Sequence, residues 1–127
     1  MTEELVTLET AKLLKEKGFK EDVSVFYELV CEEGSYEYEL FESYDAQNYN
    51  ASVYSFSAPT QYIAQKWLRE TKNLHIEISY MYENYWIYDI LTIPNHDLVG
   101  LSDRPIIHYK SYEEALEAGI QEALKLI

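Results

Sequence analysis

The sequence predicts an α+β domain of antiparallel β-hairpins with helices packed on one face, in the order α-β-β-α-β-β-α. Two observations predict this class. Apolar residues recur at helical spacing in three segments. In four other segments they alternate with polar residues, as in strands, and turn residues connect these segments in two pairs. With 127 residues, of which 47% are hydrophobic, the chain fits one domain with its own core, residues 1–127.

The first helix is predicted from Leu8 to Lys17. Thr7 precedes it and can accept a hydrogen bond from the first turn as an N-cap. Gly18 suits the left-handed residue that follows many helices, and Phe19 is then expected to fold back on Leu14.

The first hairpin is predicted from two alternating segments, Val23–Cys31 and Tyr36–Phe41, joined by a turn at residues 32–35. Alternation gives the second strand one tyrosine-rich face and one largely acidic face. Residues 43–57 are polar and predict a long loop with a short strand at Val53–Phe56.

The second half repeats the pattern of helix and hairpin. Ser57 is predicted to cap a helix that runs to Glu70. Strands are predicted at Leu74–Tyr80 and Tyr85–Ile93. Residues 94–110 predict an irregular connection with a short strand at Ile106–Tyr109.

The last helix has the strongest local signal. Ser111 and Glu114 form a capping box at its start. Gly119 lies within its apolar stripe, which predicts that a neighbouring element approaches closely there. The stripe contains Tyr112, Ala115, Leu116, Gly119, Ile120, Ala123, Leu124 and Ile127.

Two helical segments are similar to each other. Residues 12–16 and 66–70 match in residue type at a constant offset of 54 positions, and each precedes a turn and a strand. This similarity suggests a degenerate duplication of an αββ unit, with convergence of two amphipathic helices as the alternative.

The charge distribution indicates what the surface attracts. No lysine or arginine lies between Lys20 and Lys66, whereas nine acidic residues and seven of the thirteen tyrosines do. The net charge of −13 opposes sequence-independent binding to nucleic acid and to anionic membranes. A basic protein or a nucleic-acid-binding protein is the favoured partner. The nine acidic residues are Glu21, Asp22, Glu28, Glu32, Glu33, Glu37, Glu39, Glu42 and Asp45.

The hairpins also concentrate aromatic side chains, which are common in protein interfaces. We therefore predict an interaction surface that consists of Glu37, Glu39, Glu42, Tyr36, Tyr38, Tyr44, Tyr82 and Tyr85. Glu37 and Glu39 would stand about 6.5 to 7 Å apart on one strand face, close to the phosphate spacing along a DNA strand. Mimicry of DNA is therefore a sharper form of this hypothesis, and solubility alone is the simpler interpretation of the acidic residues.

An enzyme is the alternative. His75, Glu77 and Asp89 could form a metal or acid/base site of a small hydrolase if the fold brought them together. Their spacing matches no metal motif. Outward, solvated side chains are the favoured interpretation of His75 and Glu77. Asp89, on an apolar strand, is expected to be partly buried, and a paired or edge-exposed carboxylate is favoured there over a catalytic one. No catalytic, cofactor-binding or metal-binding residue is assigned, and four scattered glycines form no phosphate-binding loop.

The single cysteine, Cys31, can form no internal disulfide. Its acidic neighbours, Glu32 and Glu33, disfavour a thiolate nucleophile, so a structural or surface thiol is expected. The chain shows neither the apolar core of a signal peptide nor a membrane-spanning run, which favours a reducing, cytoplasmic setting.

Several short motifs resemble those of a family of small uncharacterised proteins from phages, prophages and other mobile elements of gut Bacteroides-type bacteria. The resemblance implies a bacterial or phage cytoplasmic setting and an origin in a mobile element, and it assigns neither a function nor a functional residue. A non-enzymatic protein that binds another macromolecule is our leading expectation. It rests on Ala11-Lys12 through Lys17-Gly18-Phe19, Ala58-Pro59-Thr60-Gln61, Gln65–Glu70, Asn73-Leu74-His75-Ile76, Ser111–Ala115, Ile120 and Leu126-Ile127.

Overall fold

A computed structural model describes residues 4–99 and 107–127. It confirms the α+β class and the predicted order of the principal elements. In the described part of the chain the strands form two antiparallel sheets, β2-β1-β3 and β4-β5-β6. The elements are α1 (Leu8–Glu16), β1 (Val23–Glu32), β2 (Ser35–Gln47), a 3-10 turn (Tyr49–Ala51), β3 (Ser55–Ser57), α2 (Gln61–Thr71), β4 (Leu74–Met81), β5 (Tyr85–Thr92), β6 (Leu98–Val99) and α3 (Tyr112–Lys125).

The described residues belong to two compact units. The N-terminal unit is Leu5–Thr60, which holds α1 and the first sheet. The C-terminal unit is Gln61–Ile127 together with Glu4, whose carbonyl accepts a hydrogen bond from the Gln61 N–H at 2.8 Å. The single domain over residues 1–127 stays a prediction.

The ends of α1 form as predicted. The Thr7 Oγ1 accepts a hydrogen bond from the Thr10 N–H at 3.4 Å. Gly18 has φ +94°, and the Phe19 N–H donates to the Leu14 carbonyl at 2.9 Å. Because Leu14 and Phe19 are both almost fully buried, this turn anchors α1 in the core of its unit.

The first hairpin is longer than predicted. Glu33 and Gly34, at φ 49° and 80°, form its two-residue turn, as expected of a type I′ hairpin. Strand β2 was predicted to end at Phe41, but it continues to Gln47. Between the pairs Val25–Glu42 and Val23–Gln47, β1 has one intervening residue and β2 has four, so β2 bulges by three extra residues before pairing resumes.

The prediction that Ser57 caps α2 is wrong. Ser57 is the last residue of β3, where it pairs with Phe26 and is fully buried, and α2 begins at Gln61. The Ala58 N–H also donates to the Val25 carbonyl at 2.9 Å. Strand pairing therefore holds this segment extended up to the helix.

The connection between β5 and α3 differs in detail from its prediction. Strand β6 was not predicted, and it pairs with β5 through Val99 and Ile90. The predicted strand Ile106–Tyr109 begins outside the described residues. Its described end contributes one isolated bridge, between Tyr109 and Trp86.

Helix α3 covers the second sheet as its apolar stripe predicts. It packs against β4 and β5, and α2 packs against β4. Ser111 is the N-cap, and its Oγ accepts the Glu114 N–H at 3.1 Å. The Glu114 carboxylate in turn accepts the Lys110 N–H at 3.2 Å, one residue before the expected partner.

The two αββ segments differ in topology. In the first sheet the central strand is β1, the first strand of its hairpin, whereas in the second it is β5, the second strand. The duplication therefore stays a prediction that rests on the similarity of the two helices. Across the described residues, no helix is long and apolar enough to cross a membrane.

Candidate interaction surface

The register of the first hairpin divides its side chains between two faces. Glu39 lies directly opposite Glu28, and Glu37 lies opposite Val30. Because side chains alternate along a strand, these residues share one face with Glu32. We call Glu28, Glu32, Glu37 and Glu39 the acidic face. The opposite side, which we call the tyrosine face, holds Val25, Tyr27, Leu29, Cys31, Tyr36, Tyr38, Leu40 and Glu42.

The acidic face is open to solvent. All four of its glutamates are exposed. A depression of about 260 Å³ lies at its hairpin end. Its walls carry carboxylates and little apolar surface, so it suits a polar or cationic group better than an apolar ligand. It is lined by Val30, Glu32, Glu33, Ser35, Glu37 and Glu39.

Two lysines of α1 lie on the other side of the sheet. The Lys12 Nζ is 5.2 Å from the Tyr38 ring centroid, and the Lys15 Nζ is 4.9 Å from that of Phe56. Phe56 pairs with Tyr27, so both rings belong to the tyrosine face. These two cations therefore stand over aromatic rings on the tyrosine face, away from the glutamates of the acidic face.

Lys15 is also held by main-chain groups. Its Nζ donates to the Ser52 carbonyl at 2.5 Å and to the Ser55 carbonyl at 3.0 Å. Partial burial lowers the pKa of Lys15 below its usual value. Lys15 thus ties α1 to the segment that leads into β3.

Stacked rings support the acidic face at the end away from the turn. The Phe26 ring stacks on those of Tyr49 and Phe41, with centroids 3.9 and 5.8 Å away. Phe26 and Phe41 are cross-strand partners on the same face as Glu28 and Glu39. The carboxylates therefore stand on a strand pair that aromatic packing braces at one end.

The structure distributes the predicted surface residues over several places. Glu37 and Glu39 lie together on the acidic face, whereas Glu42 lies on the tyrosine face opposite Val25. Tyr36 is exposed, and Tyr44 is fully exposed in the bulge of β2.

The remaining predicted tyrosines belong to different units, Tyr38 to the N-terminal one and the others to the C-terminal one. Tyr38 is half-buried, and its ring centroid is 5.3 Å from that of Phe56. Tyr82 and Tyr85 belong to the C-terminal unit. Tyr82 is exposed in the second hairpin turn, and Tyr85 stacks on His108 with centroids 3.7 Å apart.

Glu28 and Glu32 were not among the predicted surface residues. They belong to β1, where both faces of the sequence contain apolar residues, so alternation alone did not single them out. A two-residue turn at Glu33-Gly34, with Ser35 opposite Glu32, sets the register that places both beside Glu37 and Glu39.

The residues of the alternative enzyme hypothesis share one face of the second sheet. Glu77 lies directly opposite Asp89, and His75 is one pair further along the same face. Asp89 is half-buried, as its place on an apolar strand predicts.

His75 was predicted to point outward as a solvated side chain; it lies on the face opposite the buried Leu74 and Ile76, but it is not fully solvated. The side chain is half-buried, and its Nδ1 is buried without a hydrogen-bond partner among the described residues. In the same part of the chain, no group of three or more His, Cys, Asp or Glu side chains is arranged to hold a metal ion. The geometry therefore supports the enzyme hypothesis only in that the three residues share a sheet face; it does not show a metal site among the described residues.

Comparison of the chain with protein-family models, with curated proteins and with solved structures gives no match. The resemblance to proteins of mobile elements therefore stays a prediction.

Proposed function

We propose that the protein acts by binding another macromolecule, not by catalysis, and that its partner is a basic protein. One observation carries the proposal: four exposed glutamates share one face of the first hairpin, while Lys12 and Lys15 stand on the other face. An exposed surface of one charge steers an oppositely charged partner and selects against partners of the same charge.

A role in binding accounts for a cost to folding. Like charges directly opposite each other in a sheet are destabilising, and Glu28 faces Glu39. A surface needed only for solubility gains nothing from this pairing, because dispersed acids serve equally well. A cationic partner would neutralise the two carboxylates, so relief of their repulsion would contribute to the free energy of binding.

A nucleic-acid-binding protein is the favoured class of basic partner. Glu37 and Glu39 are same-face residues of one strand, about 6.5 to 7 Å apart by strand geometry, which approximates the phosphate spacing of DNA. In this form of the proposal the carboxylates occupy the partner's phosphate sites. We place the complex in the cytoplasm of a bacterium that carries the mobile element.

Affinity capture from a bacterial lysate tests the proposal. Reversal of two glutamates, Glu37→Lys with Glu39→Lys, changes the net charge from −13 to −9, and so does Glu21→Lys with Asp22→Lys outside the strands. Basic proteins should be captured by the wild type and by the Glu21/Asp22 control, and lost from the Glu37/Glu39 variant. Duplex DNA should displace them if the carboxylates stand in for phosphates. Equal capture by all three proteins, in low and high salt alike, rejects the proposal.

A hydrolase is the second candidate, because His75, Glu77 and Asp89 share a sheet face. The buried Nδ1 of His75 would in that case act with the two carboxylates in acid/base chemistry. Loss of a hydrolytic activity in His75→Ala, with the fold intact, would establish it.

A further inference from the structure

The outer edge of β2 is an open strand edge in the described part of the chain. Strand β2 ends the order β2-β1-β3, so only one of its two edges is paired. Eleven of its thirteen residues are exposed. An exposed edge presents main-chain donors and acceptors that can pair with an added strand.

The hydrogen bonds of β1 show which groups point outward from β2. The Leu29 N–H donates to the Tyr54 carbonyl at 3.0 Å, so the backbone of Leu29 turns toward the β3 side. Its cross-strand partner Tyr38 is therefore in a non-hydrogen-bonded pair, and its N–H and C=O point away from β1. Tyr36 and Leu40, two residues to either side, repeat this orientation.

The side chains along this edge alternate in chemistry. Tyr36 and Leu40 are 69% and 48% exposed on the tyrosine face. Glu37 and Glu39 lie between them on the acidic face. An antiparallel strand bonded to Tyr36, Tyr38 and Leu40 would place its intervening residues in close, non-hydrogen-bonded pairs with Glu37 and Glu39, about 4.5 Å apart at Cα.

We propose that β2 receives an extended segment of the partner as an added antiparallel strand, in which basic residues alternate with apolar ones. The basic residues face Glu37 and Glu39, and the apolar residues lie beside Tyr36, Tyr38 and Leu40. Opposite charges across a strand pair stabilise it, and the main-chain bonds supply affinity. This inference rests on the proposed function and specifies how the basic partner binds.

A second copy of the chain fits this edge less well than a basic strand. Only every second residue of β2 turns its main-chain N–H and C=O outward. In a pair of copies, the main-chain groups of Tyr36, Tyr38 and Leu40 would therefore bond to those of the same three residues in the other copy. Pairing centred on Tyr38 then sets Glu37 of each copy opposite Glu39 of the other, and such like-charge pairs are destabilising. The acidic residues therefore protect the edge from self-association and leave it open to a cationic strand.

Peptide binding to the full chain tests the edge. The probe is a fluorescent peptide, Val-Lys-Val-Lys-Val-Lys-Val, in which the valines would bond to β2 and the lysines would face Glu37 and Glu39. N-methylation of the second and third valines removes N–H groups that point at β2, whereas N-methylation of the first and second lysines removes N–H groups that point away. We expect the first modification to weaken binding about tenfold and the second to leave it unchanged.

Three results would overturn part or all of this assignment. Failure of the parent peptide to bind, or equal binding of the two N-methylated peptides, rejects edge pairing. If equal binding is accompanied by loss of binding in Glu37→Lys with Glu39→Lys, the acidic face stands and only the added strand is wrong. If that double variant binds the parent peptide as tightly as the wild type does, and N-methylation of the valines still weakens binding, edge pairing stands and the proposed role of the two glutamates fails.

Discussion

Glu28 and Glu39 face each other directly across the first hairpin, on the side of the sheet away from Lys12 and Lys15. Neither is screened by those α1 ammonium groups, which stand over the rings of Tyr38 and Phe56. The four glutamates of the acidic face thus lie on one side of the first sheet, and the two α1 lysines lie on the other.

The repulsion between these two carboxylates should be measurable. Glu39→Gln keeps the shape of the side chain and removes its charge, so the free energy of unfolding should rise by about 0.2 to 1 kcal/mol at low salt. The gain should shrink as salt is added, because exposed charges are screened. Glu42→Gln, which lies opposite Val25, serves as the control in the same urea titrations. An equal gain in the control would show that total charge, and not this pair, is responsible.

The core of the C-terminal unit should depend on the apolar stripe of α3. Leu116 and Leu124 are 4% and 0% exposed, so replacement of either by alanine should lower the free energy of unfolding by about 2 to 5 kcal/mol. Leu126→Ala, at a residue that is 45% exposed, should change it by less than about 0.5 kcal/mol. Unchanged urea midpoints for both core variants would contradict the packing of α3 on the second sheet.

Gly119 should resist even the smallest side chain. A Cβ at this position would lie 2.7 Å from the Ile76 Cγ2 and 3.1 Å from the Tyr88 ring. The clash should outweigh the gain of about 1 kcal/mol in helix propensity, so Gly119→Ala should destabilise the protein by about 1 to 3 kcal/mol.

A double-mutant cycle can identify the cause of that loss. Ile76→Ala removes the nearest atom, so the double variant should be more stable than the sum of the two single effects predicts. If the two single effects on the free energy of unfolding simply add in the double variant, contact with Ile76 is not the cause of the Gly119→Ala effect.

The signals that predicted these elements are local. The ends of α1 and the start of α3 were predictable because Thr7, Gly18 and Ser111 act within one helical turn. The stripe of α3 and the close approach at Gly119 follow from periodicity, which needs no knowledge of the partner.

Pairing between distant residues was not predictable in the same way. Ser57 lies two residues before Pro59 and has the sequence of a helix cap, but Phe26 pairs with it and holds it in β3. Strand β2 continues through the polar segment after Phe41 because its pairing with β1 resumes at Gln47 after the bulge. Within the candidate site, Glu37 and Glu39 could be predicted from alternation, whereas Glu28 and Glu32 required the register.

Lys15 should make stability depend on pH at the alkaline end. Burial lowers its pKa below 10.5, so the folded protein releases this proton at a lower pH than the unfolded chain does. The unfavourable burial of the charge is present below the folded pKa and is relieved as the pH rises toward 10.5. Wild type should therefore gain stability relative to Lys15→Arg over that range, because arginine stays charged. A constant difference in melting temperature would contradict it.

The second sheet should bind no metal through His75. Calorimetric titration with zinc should give the same result for the wild type and for His75→Ala, since Glu77 and Asp89 complete no arrangement of three metal-ligating side chains in the described residues. A one-to-one micromolar site that disappears in the variant would instead favour the hydrolase.

The most direct test of the central claim is the salt dependence of binding to an isolated basic partner. We predict that the affinity of the wild type falls steadily as salt is raised, because the pairs involve exposed charges screened within about 8 Å at physiological salt. Glu37→Lys with Glu39→Lys should bind at least about tenfold more weakly at low salt and show a shallower salt dependence, while Glu21→Lys with Asp22→Lys should behave almost as the wild type. Equal affinities and equal salt dependence for the two variants would contradict an electrostatic binding face on the first hairpin.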